Sequence, residues 1–367
     1  MKYIRKFLRF LLLRPVLWAA QKFSSKPQRE KIFEALSTLI DHILKDPGKR
    51  GVVIPFIADA GKFIIFSDQH KGRRNGADDF TQAEPNYLAA LDYYDRNEFC
   101  YINLGDSEEL WENNLWQVKK KNKATFEAER KFLLKQNYVK VFGNHDLFWD
   151  NDPFAWWQLR SIFKEKVKIY EGVVLQTTIG QSALKVFLTH GHQGDAQSDG
   201  NWFSKFFVAK IWAPLQALLR INPNTPAYDA EKKTLHNHIM YEWAASQKDM
   251  LLITGHTHQP VFASMTHLER LYKEFQVAEK DKNEEQRIAL REEIQKRERA
   301  FAAVSINYMD MKPSYFNTGC CCFSDGDITG IEIAEGCIRL IKWTLIDEKP
   351  QRMVLEERTL GAVAKEL

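Results

Sequence analysis

Carboxylate, imidazole and amide side chains follow several apolar runs in this sequence, and together they have the chemistry to bind metal ions. The groups are Asp68-x-His70, Gly105-Asp106-x-x-Glu109, Gly143-Asn144-His145-Asp146, His190 and Gly255-His256-x-His258. Mixed oxygen and imidazole ligands without thiolate suit Mn²⁺, Fe or Zn²⁺. So many ligands are too many for one ion, but they fit two ions that share a bridging carboxylate. We therefore predict a two-metal centre.

Each motif taken alone has an ordinary structural explanation. A pair such as Asp68 and His70 occurs often by chance, and paired histidines such as His256 and His258 can simply end a strand. The complete set is harder to explain structurally, because each buried polar group without a partner costs several kcal/mol. The joint pattern therefore favours a functional site.

The elements that position these motifs alternate along the chain. Apolar strands are predicted at residues 63–66, 99–104 and 139–142, with helices at 85–96 and 124–135 between them. This alternation is typical of a sheet with crossover helices, and ligands gather at the carboxyl ends of its strands. Later strands are predicted at 167–170, 173–179, 184–189, 250–254, 314–318, 327–333 and 337–346.

Four further segments have distinctive compositions. Residues 1–24 are basic and amphipathic, which fits either a helix at an anionic membrane surface or one that packs on the domain. Residues 30–44 have helical apolar spacing. The aromatic segment 195–247 predicts a helical cap over the site, with a plain helical layer as the alternative for its second half. The charged segment 267–303 predicts a solvated helical hairpin, with a partner-binding arm as the less favoured alternative.

Composition narrows the class of protein. The 367 residues are 44% hydrophobic and carry a net charge of +4, so the chain can bury a core and does not demand a nucleic-acid partner. Three of the five cysteines are consecutive, which favours a reducing compartment. The apolar run at 10–13 predicts neither a spanning helix nor a signal peptide. We expect a cytoplasmic protein, with peripheral contact at the inner face of the membrane through residues 1–24 as a further possibility.

The five motifs, in this order, resemble the calcineurin-like metallophosphoesterase superfamily over about residues 61 to 345. The resemblance implies an α/β fold, a four-layer α/β/β/α sandwich of two mixed β-sheets flanked by helices. We predict that this domain spans 51–350, with the cap at 195–247 and the charged insertion at 267–303. The N-terminal amphipathic helices are then residues 1–50, and residues 351–367 are a C-terminal tail.

The same resemblance implies roles for individual residues. One ion would be held by Asp68, His70, Asp106 and His258, and the other by Asp106, Asn144, His190 and His256. A hydroxide bridging the two ions would attack phosphorus, with Mn²⁺ as the favoured metal and Fe or Zn²⁺ as alternatives. His145 is then the proton donor or charge stabiliser, and Asp146 holds it. Phe316-Asn317-Thr318-Gly319 resembles a turn that follows the last histidines in many relatives.

The substrate is left open between several interpretations. Arg73 and Arg74, with Asn144, are predicted to bind a phosphate, and Glu109 is predicted to orient a ligand. A phosphorylated small molecule or a lipid-linked substrate is expected, cleaved as a phosphomonoester or a phosphodiester. UDP-2,3-diacylglucosamine pyrophosphohydrolases have a comparable insertion, but they usually carry arginine at the position of His145. A scaffold protein with a vestigial site is the alternative of another class, and a nuclease is disfavoured because no basic groove is evident.

Overall fold

Twelve strands form two sheets in the computed structural model, which describes residues 27–75, 78–110, 113–194, 230–280, 283–298 and 311–367. One sheet has five strands in the order β1-β6-β7-β8-β9, and the other has seven in the order β12-β11-β10-β2-β3-β4-β5. The strands are β1 Gly51–Pro55, β2 Phe63–Phe66, β3 Cys100–Leu104, β4 Tyr138–Val141, β5 Ile169–Tyr170, β6 Gly172–Ile179, β7 Ser182–Thr189, β8 Met250–Thr254, β9 Tyr315–Asn317, β10 Ile328–Ala334, β11 Cys337–Ile346 and β12 Lys349–Thr359.

Ten helices lie in the described part of the chain. They are α1 Arg29–Lys45, α2 Phe80–Arg96, α3 Leu115–Lys121, α4 Lys123–Leu134, α5 Phe148–Asn151, α6 Ala155–Phe163, α7 Ala230–Ser246, α8 His267–Lys280, α9 Glu284–Glu298 and α10 Leu360–Lys365.

The alternation of side chains along the strands explains why the sheets stack. In β2, Phe63 and Ile65 point into the core between the two sheets, whereas Ile64 and Phe66 point outward against α2. Successive strand residues face opposite sides of a sheet, so a strand that is apolar at every position must be covered on both faces. All four residues of β2 are buried, as this arrangement requires.

Helices cover the outer face of each sheet. Leu36, Leu39 and Ile43 of α1 recur at helical spacing and pack with Trp243 of α7 on the five-stranded sheet. Helix α2 covers the seven-stranded sheet through residues such as Tyr87. The order of layers is therefore helix, sheet, sheet, helix, and the predicted four-layer fold with two mixed sheets is confirmed.

The two ends of the domain differ from the sequence prediction. Residues 351–367 are not a tail, because β12 pairs antiparallel with β11 and α10 buries Leu360 and Val363. Strand β12 is an edge strand whose side chains are mostly exposed. Its sequence therefore lacks the alternation of apolar and polar residues from which a strand is predicted. Strand β1, which pairs parallel with β6, was also not predicted.

The predicted insertions lie only partly in the described residues. Residues 1–24, 195–229 and 299–303 are outside them, so the predicted membrane helix and most of the cap cannot be located. The end of the cap segment is α7, which forms part of a plain helical layer. Helices α8 and α9 form the predicted hairpin, held by Leu268, Leu271 and Ile294. No helix among the described residues has the length and apolarity needed to cross a bilayer.

Candidate metal centre

The loops after five strands meet at one edge of the sandwich. Strands β2, β3 and β4 run parallel in one sheet, and β7 and β8 run parallel in the other, so their carboxyl ends converge. Backbone hydrogen bonds fix neighbouring loops: the Asp68 N–H donates to Gly105 O at 3.0 Å and the Gly255 N–H to His190 O at 3.0 Å. The two sheets are joined where the His256 N–H donates to Asp68 Oδ2, also at 3.0 Å.

The backbone of the motifs is unusual for non-glycine residues. Five predicted ligands have φ between 49° and 68°, in the left-handed region: Asp68, His70, Asp106, His256 and His258. Such conformations cost about 1–3 kcal/mol each and cluster at functional sites. Close approach adds a further constraint at Gly143, because a Cβ there would overlap the carboxylate of Asp106.

The first predicted ligand group is assembled around Asp68 and His70. His258 Nε2 lies 3.2 Å from Asp68 Oδ1 and 3.2 Å from His70 Nε2. His70 Nε2 lies 3.8 Å from Asp106 Oδ2. The ligand atoms of Asp68, His70 and Asp106 all lie within 4.8 Å of one another. These four side chains are therefore close enough to share one cation.

The second group is assembled on the other side of Asp106. His190 Nε2 lies 3.2 Å from Asp106 Oδ2, and the ring of His256 lies 5.3 Å from that of His190. Ligand atoms of Asp106, His190 and His256 lie within 4.8 Å of one another. Asp106 belongs to both groups, as a bridging carboxylate must. Asn144, the fourth predicted ligand, is buried at the end of the loop after β4.

Some buried polar atoms of the predicted ligands make no hydrogen bond, which is typical of a metal site and not of a hydrogen-bonded core. Within the part of the chain that the structure describes, Asp68 Oδ1, Asn144 Oδ1 and His190 Nε2 are buried and make no hydrogen bond, although Asp68 Oδ1 and His190 Nε2 lie 3.2 Å from His258 Nε2 and Asp106 Oδ2, respectively. Buried polar atoms are nearly always paired, so three such atoms on three predicted ligands need an explanation. Divalent cations bound by carboxylate, amide and imidazole groups supply it, and the residues fit the predicted metals.

The charges at the centre also favour cations. Burial lowers the pKa of His190, but the carboxylates of Asp106 and Asp68 outweigh burial and raise it to about 9. Burial likewise lowers the pKa of His258, and the Cys320 thiolate and the Asp68 carboxylate raise it to about 9. Without another cation, the carboxylates therefore draw protons onto these histidines. Metal binding would displace those protons, because a ligating imidazole must be neutral.

His145 is held by Glu109 and not by Asp146, which corrects the prediction. His145 Nδ1 lies 2.7 Å from Glu109 Oε2, and His70 Nδ1 lies 2.9 Å from the same oxygen. Both oxygens of Asp146 accept backbone N–H groups instead, from Gly143 at 2.5 Å and Ser107 at 3.0 Å. Adjacent residues in a tight loop point in different directions, so sequence adjacency misidentified the partner. Burial raises the pKa of Asp146 to about 6.

The two predicted phosphate-binding arginines, Arg73 and Arg74, differ in their exposure to solvent and in their contacts. The guanidinium of Arg74 is half-buried, bonded to Glu84 and stacked over Phe80, so the structure engages it elsewhere and does not support the predicted role. Arg73 is exposed in the loop after His70, and its role in substrate binding stays a prediction. Asn317 lies where the resemblance placed it, donating to Gly255 O at 2.7 Å and thus supporting the last histidine loop.

Three features of the site escaped sequence analysis. His236 of α7 lies with its ring 5.2 Å from that of His256 and its Nε2 2.9 Å from Gly191 O. The thiol of Cys322 lies 3.9 Å from His258 Nδ1. The only available signals were a histidine on the last helix before β8 and a cysteine run after Asn317, and neither has a spacing that predicts a partner.

The third feature is a buried ion network directly beneath the centre, called here the lysine–glutamate network: Lys71, Glu108, Glu129 and Lys140. Lys71 Nζ lies 2.6 Å from Glu129 Oε1 and 3.1 Å from Glu108 Oε1. Lys140 Nζ lies 2.9 Å from Glu108 Oε2. Lys71 and Glu108 are the immediate neighbours of His70 and Glu109, so the network anchors two of the site's loops.

The fold and the site together define an α/β/β/α sandwich with a candidate two-metal centre at the edge where strands of both sheets end. The chain belongs to the calcineurin-like phosphoesterase family, because the model of that family matches residues 61–260. The match begins just before β2 and ends just after His258, so it contains all five motifs.

Comparison with individual proteins adds little to this assignment. None of the curated proteins compared with the chain matches it. One similar solved structure is Vacuolar Protein Sorting 29 from Cryptosporidium parvum, at 12% identity and a TM-score of 0.33, covering 82% of this chain and 98% of that one. Another is a Vps29 single mutant from Entamoeba histolytica, at 15% identity and a TM-score of 0.32, covering 80% and 99%. At TM-scores this low, neither likeness carries an argument.

Proposed function

We propose that this protein is a metal-dependent hydrolase that cleaves a phosphoester, and that its ions are held in the two ligand groups joined by Asp106. The observation that carries the proposal is that buried ligand-type atoms of Asp68, Asn144 and His190 make no hydrogen bond, beside two groups of ligand atoms that share Asp106. A vestigial site would have no reason to keep such atoms buried, because each costs free energy without a ligand. Family membership supports the same reaction class.

Two divalent cations bound there, Mn²⁺ by preference and Fe or Zn²⁺ as alternatives, supply Lewis acidity and lower the pKa of a water molecule. The chain's own contribution centres on His145. Its Nδ1 is held by Glu109, which leaves Nε2 as the atom that donates a proton to the leaving oxygen. Carboxylates oppose the effect of burial and raise the pKa of His145, Glu109 first and then Asp106. These carboxylates therefore favour the protonated imidazole, which is the form that a general acid needs.

Glu109 is best described as a positioning residue. Burial opposes its ionisation, but the nearby His145 and His70 lower its pKa to about 2, so it is a carboxylate at neutral pH. One oxygen then fixes both the ring of a metal ligand and the ring of the general acid. Groups that orient ligands in this way are typically worth about 10–100-fold in activity or metal affinity.

The proposal is tested with His145→Ala, assayed on a chromogenic phosphomonoester and a phosphodiester with Mn²⁺. We expect turnover of at least one ester by the wild type and a loss of about 10²–10⁴-fold in the variant, with metal content unchanged. His238→Ala is the matched control, because His238 is a partly exposed histidine that pairs with Glu242 on α7. Loss of metal together with turnover would show that His145 has been assigned the wrong role.

The same assay separates the alternative functions. A scaffold protein would turn over neither ester even when it is loaded with metal. A lipid-linked pyrophosphate substrate, such as a UDP-diacylglucosamine, would be hydrolysed in a substrate screen while the simple esters were not. His145 disfavours that second candidate, because those enzymes usually carry arginine at this position.

A further inference from the structure

Four large aromatic side chains are exposed after the loops of Glu109 and His145, three on helices α3 and α6 and one in the turn just before α6. They are Trp116 at 65% exposure, Phe154 at 66%, Trp156 at 63% and Trp157 at 60%, and together they are called here the aromatic patch. Aromatic rings of this size normally contribute to cores and interfaces, where they bury a large apolar area. Several exposed rings on neighbouring elements therefore indicate a surface that binds a protein, a membrane or a ligand.

A side-chain hydrogen bond links the two helices that carry the tryptophans of the patch. Lys119 Nζ of α3 donates to Ser161 Oγ of α6 at 3.0 Å. Trp116 lies one turn before Lys119 on α3, and Trp157 lies one turn before Ser161 on α6. Residues three or four apart share one helix face, so the two tryptophans flank the point where α3 and α6 touch. Phe154 lies one turn before Trp157 and extends the same face.

The two helices that carry the tryptophans of the patch have basic residues and no acidic ones. Neither α3, with the sequence LWQVKKK, nor α6, with the sequence AWWQLRSIF, contains an acidic residue. Helix α3 ends in Lys119, Lys120 and Lys121, and the ammonium of Lys120 lies 5.1 Å from the centre of the Trp116 ring. Two acidic residues, Asp150 and Asp152, lie just before α6, and the carboxylate of Asp152 accepts hydrogen bonds from the Phe154 N–H and from Gln158 Nε2. The patch is thus aromatic and basic, and complementary to an anionic surface.

We propose that the aromatic patch docks this protein on an anionic lipid surface. Tryptophan rings prefer the headgroup level of a bilayer, where one edge is apolar and the other is wet. Lysines beside them gain attraction from anionic headgroups. Single-stranded nucleic acid is the competing partner for a basic aromatic surface, but it binds in a groove that tracks its backbone. These rings instead stand on the outward faces of helices. The basic segment 1–24 carries the same sign of charge, which disfavours it as an occupant.

The test is flotation of the full chain with vesicles of phosphatidylcholine alone or mixed with phosphatidylglycerol. We expect binding only to the mixed vesicles, and a loss of about tenfold in partitioning for Trp116→Ala/Trp157→Ala. Lys120→Gln/Lys121→Gln should weaken binding by about fivefold per lysine and reduce its sensitivity to salt. Ile57→Ala is the matched control, because Ile57 is 74% exposed but lies in the loop before β2.

Two results would overturn the proposal. Flotation of the tryptophan variant to the same extent as the wild type would show that the patch does not dock. Competition of vesicle binding by a single-stranded oligonucleotide, lost in the same variant, would assign the surface to nucleic acid. Thermal denaturation of each variant checks that exposed substitutions leave the fold intact. Flotation measures binding alone, so neither result bears on the phosphoesterase proposal.

Discussion

Two buried polar regions lie next to each other in this protein, and they differ in how far their buried polar atoms find hydrogen-bond partners within the protein. In the lysine–glutamate network, the ammonium of Lys71 contacts both Glu108 and Glu129, and that of Lys140 contacts Glu108. Tyrosine and tryptophan donors satisfy further oxygens, as when Trp149 Nε1 donates to Glu108 Oε2 at 2.8 Å. At the candidate metal centre, by contrast, buried ligand atoms of Asp68, Asn144 and His190 make no hydrogen bond.

This difference in hydrogen bonding distinguishes a buried charged cluster that stabilises the fold from one that is organised to bind a ligand. A network that satisfies itself needs nothing from outside, and its contribution is to fix the loops on either side. A cluster that leaves oxygens and a ring nitrogen unsatisfied, and that also holds its backbone in left-handed conformations, is organised for a ligand. Residues 70 and 71, and residues 108 and 109, belong to opposite sides of this division although they are adjacent in the chain.

The largest expected effect comes from breaking the metal centre. Asp106→Asn keeps the shape of the bridging side chain but removes its charge and one ligand oxygen. We expect turnover to fall by about 10³-fold or more, since each bound ion stabilises the transition state by several kcal/mol. Metal content should fall below two ions per chain, measured by elemental analysis. The melting temperature of the metal-free protein should change by only about a few degrees. A variant that retains two ions would remove Asp106 from its bridging role.

The next effect comes from breaking the network. Lys71→Met leaves Glu129 and Glu108 without a shared cation, so we expect a loss of about 3–5 kcal/mol in the free energy of unfolding, measured with urea. Metal content per folded molecule should be kept. Lys62→Met is the control, because Lys62 is exposed, and its effect should stay within about 0.5 kcal/mol. If Lys71→Met instead abolished metal binding and left stability unchanged, the lysine–glutamate network would have a role in metal binding and not in stability.

The smallest effect is on the pH dependence of stability in the presence of a chelator. Burial opposes ionisation of Glu108, but Lys140 and Lys71 outweigh it and lower its pKa to about 2. A carboxyl whose folded-state pKa is depressed stabilises the fold above its unfolded pKa, and this stabilisation is lost as pH falls from about 4.5 to about 2. We expect on the order of 3 kcal/mol to be lost in that window. Glu108→Gln, less stable at neutral pH, should show a correspondingly smaller decline in urea titrations, whereas an equal decline would assign the titration elsewhere.

Sequence analysis identified the centre because its signals are local. Each motif pairs an apolar strand with ligand-type residues immediately after it, and parallel strands bring such ends to one edge. Periodicity likewise predicts individual strands and helices, whereas the arrangement of two sheets between outer helices was predicted from the family resemblance. The period-two and helical patterns of β2 and α1 leave few other ways to bury their apolar faces.

The partners that were missed are distant in sequence or weak in pattern. Lys71 and Glu129 are 58 residues apart, and Glu108 and Lys140 are 32 apart, so no spacing rule connects them. Glu109 was identified as a supporting residue, but its hold on His145 depends on how two loops face each other. Strand β12 is amphipathic only weakly because it is an edge strand, and its place follows from pairing with β11 rather than from its own composition.

The hydrogen bond from the His256 N–H to Asp68 Oδ2 marks a place where two sheets that share no strand come together. Each ligand group draws on both sheets, with Asp68, His70, Asp106 and Asn144 from one and His190, His256 and His258 from the other. Metal ions held there would therefore also cross-link the two layers, as a disulfide does in a small secreted protein. Separating the layers would then require several coordination bonds to break at once, so ions that serve the proposed reaction would also hold the sandwich closed.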